Sequence, residues 1–175
     1  MRAALEAAVG GKVAGARPVS GGDINAAHAI TFTNGRRLFL KTNAREPAGM
    51  FQAEAEGLAW LAAARALRVP EVVACGAGFL ALELLEAAPR ARDFDEQLGR
   101  GLAALHRFGA PRFGLDRDNF IGRLPQDNAP EADWPTFYRA RRLEPQLRLA
   151  VDAGLAGARM RGGFQLGLRA LQMRA

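Results

Sequence analysis

Lys41 lies in the run Leu38-Phe39-Leu40-Lys41-Thr42 of a chain that carries 22 arginines and only two lysines. Where arginine is the usual cation, a lysine in an apolar strand is informative. Its compact ammonium acts as a point charge on phosphate oxygens, whereas a guanidinium favours planar, two-pronged partners. A cation on a buried strand face must also be paired. The competing account is a strand-end lysine that carries its charge out to water, and Lys41 is the last residue but one of its strand. The strand alone does not separate the two.

The segment after it bears on the choice. At 100° per residue, Phe51, Ala55, Leu58, Leu61 and Ala62 fall on one helical face. Glu54 falls within that apolar arc and Glu56 points the opposite way. An inward carboxylate is costly without a partner, and Lys41 is the one non-arginine cation of the preceding strands. The plainer account places Glu54 at the edge of the face, reaching solvent. A strand lysine held by a helix glutamate is the arrangement that positions nucleotide phosphates in protein-kinase-like folds. Ser20-Gly21-Gly22-Asp23-Ile24-Asn25 falls where a loop between the first two strands would cover such phosphates, with adjacent glycines that let backbone amides approach an anion. It fits neither G-x-G-x-x-G nor the P-loop pattern, and a tight turn explains it equally.

Other polar residues have simpler readings. His28 alternates with apolar neighbours as a strand histidine, and His106 sits on a helix. Asp116-Arg117-Asp118-Asn119 lacks the third oxygen ligand and the glycine of a calcium loop, which leaves Asp116 a turn or capping role. Phe79 to Leu85 reads as a core strand whose end, Glu83 to Leu85, runs into a connector.

The elements that must position these residues follow in order. Residues 1–9 form a short amphipathic helix stopped by Gly10-Gly11. Val13 to Val19 is a strand, and Ala26 to Thr33 alternates and meets Arg37 to Thr42 through Asn34-Gly35, a strong hairpin signal. Met50 to Leu67 is a helix ended by Val69-Pro70. Pro70 to Gly76 and Phe79 to Leu84 are two more strands, 86–92 a connector, and Phe94 to Phe108 a helix. Gly109 to Asp133 is irregular and Trp134 to Asp152 helical. Five strands with one inserted helix, then helices, make an α+β chain of two lobes.

Composition removes several function classes. At 175 residues the chain suits one core of ordinary size. The single cysteine, Cys75, forms no internal disulfide, and no Cys/His cluster has zinc spacing. The longest uncharged apolar run, Val72 to Leu82, is far short of a membrane span, and with no secretory pattern the expected compartment is the cytoplasm. The net charge of +6 suggests an acidic partner until it is located. Residues 1–138 balance 16 basic against 16 acidic side chains, whereas 139–175 hold eight arginines against Glu144 and Asp152. Nucleic-acid binding through Arg159, Arg161, Arg169 and Arg174 has only Phe164 nearby for stacking and no recognition motif.

Several stretches together resemble the fructosamine kinase (ketosamine 3-kinase) family: Ser20 to Asn25, Phe39-Leu40-Lys41-Thr42-Asn43, Met50 to Leu58, and Phe113 to Gly122. Pro125-Gln126-Asp127-Asn128, Asp133-Trp134 and Arg141 to Leu147 continue the match, in order, from about residue 13 to 150. The resemblance implies a protein-kinase-like fold related to aminoglycoside and choline kinases. It implies ATP and Mg²⁺ as cofactors and a sugar hydroxyl of a small or protein-linked glycated amine, a fructosamine or ribulosamine, as acceptor. Under it, Lys41 contacts the phosphates, Glu54 holds Lys41, Gly21 and Gly22 belong to the nucleotide loop, and Glu83, Leu84 and Leu85 form the adenine connector. Asp118, Asn119, Asn128 and Trp134 occupy family-typical positions with a substrate-side or lobe-shaping role. Residues 1–86 are expected to be a nucleotide-holding lobe, 87–153 part of a helical lobe, and 154–175 an atypical basic tail.

The departures carry equal weight. Such kinases use a His-Gly-Asp-x-x-x-x-Asn loop and a later metal-binding Asp. Here the histidines precede Ala29 and Arg107, and no acidic residue follows Asp152. No catalytic or metal-ligating residue is therefore assigned. The expectation is a chain truncated before the catalytic loop, with little phosphotransfer alone; the alternative is a non-catalytic nucleotide-binding or regulatory module. Neither nucleic acid nor membrane is an expected partner, and oligomeric state stays open.

Overall fold

The computed structural model describes residues 1–19, 24–157, 159–160, 162–164 and 167. They group into two compact units, Met1–Gly109 and Ala110–Ala175. The helix Phe94–Phe108 (α3) falls within the first unit. Its Gly101 lies so close to the loop after the preceding helix that a Cβ there would stand 2.3 Å from a Leu67 methyl and 3.0 Å from the Ala66 carbonyl.

The first unit is built on a five-stranded antiparallel sheet. Its strands are β1 (Val13–Pro18), β2 (Ala26–Phe32), β3 (Arg37–Thr42), β4 (Val72–Gly76) and β5 (Phe79–Glu83), ordered β1-β2-β3-β5-β4. The α+β reading is borne out, inserted helix included. At the β2–β3 turn Gly35 takes φ 82°, its N–H donates to the Phe32 carbonyl, and the Asn34 side chain accepts from the Arg36 N–H. A left-handed residue there is why Asn-Gly is the favoured pair.

Two apolar layers flank the sheet, as the two-residue period of strands requires. Leu5 of α1 (Arg2–Val9) packs with Ile30, Phe32, Leu38, Leu40, Phe79 and Ala81 on one face. Phe51 and Ala55 of α2 (Met50–Ala63) pack with Leu80 and Leu82 on the other, joined by Phe39, Leu58 and Cys75. Helix α2 ends at Ala63, four residues short of the expected Leu67, because Arg65 adopts φ 50°, the left-handed conformation that terminates helices. Leu61, placed on the inner arc by periodicity, is exposed.

The second unit departs further from expectation. Within the stretch read as irregular, β6 (Asn119–Ile121) and β7 (Leu124–Gln126) form a hairpin. The helix over 134–152 is three pieces: α4 (Trp134–Tyr138), a π-helical turn (Arg139–Leu143) and α5 (Glu144–Asp152). Pro145 explains the interruption. It has no N–H to offer the Arg141 carbonyl four residues back, which instead accepts the Arg142 Nη1 of its own neighbour at 2.9 Å. Arg161, Arg169 and Arg174 of the basic tail lie outside the described residues.

Candidate functional site

Lys41 and Phe39 share the face of β3 that α2 covers, because residues two apart on a strand point the same way. Across the sheet Lys41 registers with Leu80 of β5, and Leu80 with Cys75 of β4. From above, α2 brings its inward carboxylate: Lys41 Nζ donates to Glu54 Oε1 at 2.5 Å. The pair is neither sealed nor open, with 26% of the lysine and 29% of the glutamate side chain exposed. An ammonium has three donors, and Glu54 takes one. The strand period and the helix period thus converge on one contact. Nearby, burial and then the Glu46, Glu54 and Glu56 carboxylates push the Cys75 thiol up, keeping it protonated.

The end of β5 is held on both sides. The Glu83 carboxylate accepts from Arg68 Nη2 at 2.5 Å and from the Glu71 N–H at 3.4 Å, while its own N–H donates to the Glu71 carbonyl at 2.8 Å. The Arg68 contact first and the Glu71 N–H second hold this carboxyl below the usual carboxylate range. Glu83 registers with Leu38, three residues along β5 from the Leu80–Lys41 level, roughly 10 Å away at the rise of a strand. Leu84 is half-buried and Leu85 is 41% exposed. Glu86 accepts from Arg37 Nη1 at 2.5 Å.

The second unit has a polar cluster of another kind. Asn128 is fully buried. Its Nδ2 donates to the Arg117 carbonyl at 3.1 Å and to Asn119 Oδ1 at 2.9 Å, and its N–H donates to Asp118 Oδ1 at 2.9 Å. Its Oδ1 accepts from Arg142 Nη2. Arg142 also donates to the Asp127 carbonyl and lies over the Phe137 ring. Gly114, at φ 145°, is pressed against this loop, where a Cβ would meet the Asn128 carbonyl at 2.6 Å. Trp134 stacks on Tyr138 with ring centres 5.1 Å apart and remains 48% exposed.

The structure therefore brings Lys41 and Glu54 into contact and sets Glu83, Leu84 and Leu85 at the far end of the neighbouring strand. Gly21 and Gly22 lie outside the described residues. Asp118, Asn119 and Asn128 share one hydrogen-bonded cluster, and Trp134 lies outside that hydrogen bonding. Sequence reasoning missed Arg68 and Arg37, whose only signal was an arginine within reach of a strand end, and the part played by Arg142, for which Pro145 three residues on was the available sign. Among the described residues no group of three or more His, Cys, Asp or Glu is placed to hold a metal ion. A Mg²⁺ ion needs only one or two carboxylates beside a nucleotide's phosphates and water, and no ligand is assigned to it among these residues, whereas the partly exposed Lys41 ammonium has the charge and the donors to meet a phosphate.

A family model described as fructosamine kinase matches residues 2–165. A protein of Enterococcus faecium named "probable ketoamine kinase" is 40% identical over 139 residues, covering 77% of this chain and 48% of the relative. The "protein-ribulosamine 3-kinase, chloroplastic" of Arabidopsis thaliana is 36% identical over 141 residues, covering 77% and 43%. A crystal structure of a candidate fructosamine-3-kinase from Thermobifida fusca superposes with a TM-score of 0.85 at 32% identity, covering 98% of this chain and 60% of that one. The chain spans about half the length of the curated relatives it matches. A sheet bearing a lysine paired to a helix glutamate, with these likenesses across nearly its whole length, makes this chain a member of the fructosamine kinase family.

Proposed function

We propose that this chain is the nucleotide-holding part of a ketoamine kinase, in which ATP donates its terminal phosphoryl group to a sugar hydroxyl of a glycated amine such as a ribulosamine or fructosamine. The observation that carries the reading is the partly exposed Lys41–Glu54 ion pair, a cation fixed by one carboxylate with about a quarter of its side chain still at the surface. Lys41 binds phosphate oxygens and Glu54 orients it. Glu83, Leu84 and Leu85 receive the base at the end of β5. Gly21 and Gly22 cover the phosphates from the β1–β2 loop. Residues 1–86 act as the nucleotide lobe, 87–153 as part of the helical lobe, and 154–175 as an atypical basic tail, into which the family match extends as far as residue 165.

Bound ATP would supply the phosphoryl group, and a bound Mg²⁺ would neutralise charge on its phosphates. Activation of the acceptor hydroxyl needs a base, and the sequence contains no His-Gly-Asp. That absence favours a chain that binds nucleotide with little phosphotransfer by itself, and equally a non-catalytic nucleotide-binding module. Titration calorimetry with ATP tests the first claim: binding by the natural chain and its loss in Lys41→Ala support the site, and no binding by the natural chain refutes it. Incubation with ATP, Mg²⁺ and a ribulosamine then tests the second, since turnover at the rate of a complete kinase would sink the idea of a chain inactive alone.

A further inference from the structure

The two leucines after β5 are bracketed by ion pairs of matching design. Strand β5 lies between β3 and β4 in the sheet. From the β4 side, Arg68, in the loop leading to that strand, holds Glu83, immediately before Leu84-Leu85. From the β3 side, Arg37, the first residue of that strand, holds Glu86, immediately after them. Each contact is 2.5 Å. Past Glu83 the chain leaves the sheet ladder and runs without regular structure to residue 91, so little else fixes the path of these two residues.

We propose that Arg37 and Arg68 are positioning residues that set the backbone of Leu84 and Leu85 for the base of a bound nucleotide. This rests on the reading of Glu83 to Leu85 given above. Exposed ion pairs of this kind add little to the stability of a fold. Their placement on either side of one dipeptide, from both neighbouring strands, gives them a different use. They restrict a segment whose amide and carbonyl must point at a planar ligand, so the ordering is complete before the ligand arrives. Neither arginine touches the nucleotide; each acts through a glutamate of the connector.

The experiment is ATP binding by calorimetry on the full chain, with Arg37→Ala, Arg68→Ala, the double variant, and the charge exchange Arg37→Glu with Glu86→Arg. Each single variant is expected to raise the ATP Kd about fivefold and the double variant tenfold or more, with the unliganded thermal midpoint moving by less than about 2 °C. The charge exchange is expected to restore affinity to within about twofold of the natural chain, which a merely structural contribution would not do. Unchanged Kd in the double variant, with the natural chain still binding ATP, overturns the bracket and leaves the nucleotide site standing. Loss of affinity that follows loss of thermal midpoint, or that the exchange does not restore, also overturns it. Absence of ATP binding by the natural chain refutes the proposed function instead, and the bracket with it.

Discussion

Lys41–Glu54 in the sheet unit and Arg142–Asn128 in the second unit are both cations facing a side-chain oxygen, yet they are built to opposite ends. Asn128 has no exposed surface, and its two amide hydrogens and its carbonyl oxygen are all taken by the chain's own groups. The Lys41–Glu54 pair retains about a quarter of its surface and one ammonium donor is spoken for. Burial with full satisfaction marks a group that shapes the chain; partial exposure with spare donors marks one able to exchange partners. Of the roles open to Asn128 from sequence, the lobe-shaping one accords with its geometry.

The contrast can be broken most forcibly at Asn128. Asn128→Leu removes the acceptor of Arg142 Nη2 and the donor to the Arg117 carbonyl and to Asn119 Oδ1, and is expected to cost about 3 kcal/mol, visible in urea unfolding followed through Trp134 fluorescence in a Trp60→Phe background. A loss below about 1 kcal/mol would show that the cluster tolerates a gap and that the comparison is misdrawn.

Lys41→Ala should behave in reverse. Nucleotide affinity is expected to fall at least tenfold while unfolding free energy changes by less than about 1 kcal/mol, because the pair is partly solvated. Unfolding measurements beside the calorimetry check this, and a stability loss as large as that at Asn128 would make Lys41 a structural residue.

Glu6 offers a smaller and finer test, a carboxylate that is closely held but takes no part in the site. The Val13 N–H, then Lys12 and Arg2, lower its pKa from 4.5 to about 2. Its folded-state pKa is depressed, so the stabilisation is present above pH 4.5 and is lost as pH falls toward 2. Glu6→Gln should lower the thermal midpoint at pH 7, and the gap to the natural chain should close between pH 4.5 and 2. A gap that is constant over that range would assign the effect to packing instead.

These residues also divide what the sequence made legible from what it did not. Lys41 and Glu54 could be placed because each sits in an element whose period defines a face, so two one-dimensional patterns meet at a single contact. Strands β1 to β5 were readable for the same reason, helped by Asn34-Gly35. Helix α2 was read too long because its stop is a left-handed arginine, a choice of backbone that residue type does not announce. In the second unit the ordering comes from polar side chains reaching across loops, and no periodicity reports where the Arg142 guanidinium goes. The hairpin Asn119–Gln126 was missed because strands of three residues are too short to show alternation.

Pro145 has a consequence that concerns time rather than stability. By freeing the Arg141 carbonyl it helps hold the guanidinium that closes the Asn128 cluster, and the contacts of that cluster join residues only 9 to 15 positions apart. The β3–β5 ladder, which aligns Lys41 with Leu80, must bring Leu38 to Glu83, about three times as far along the chain. Short loops close at lower entropic cost and sooner. In a refolding chain the region around Asn128 therefore gains protection against amide exchange first, and the strand that carries the lysine is completed afterwards.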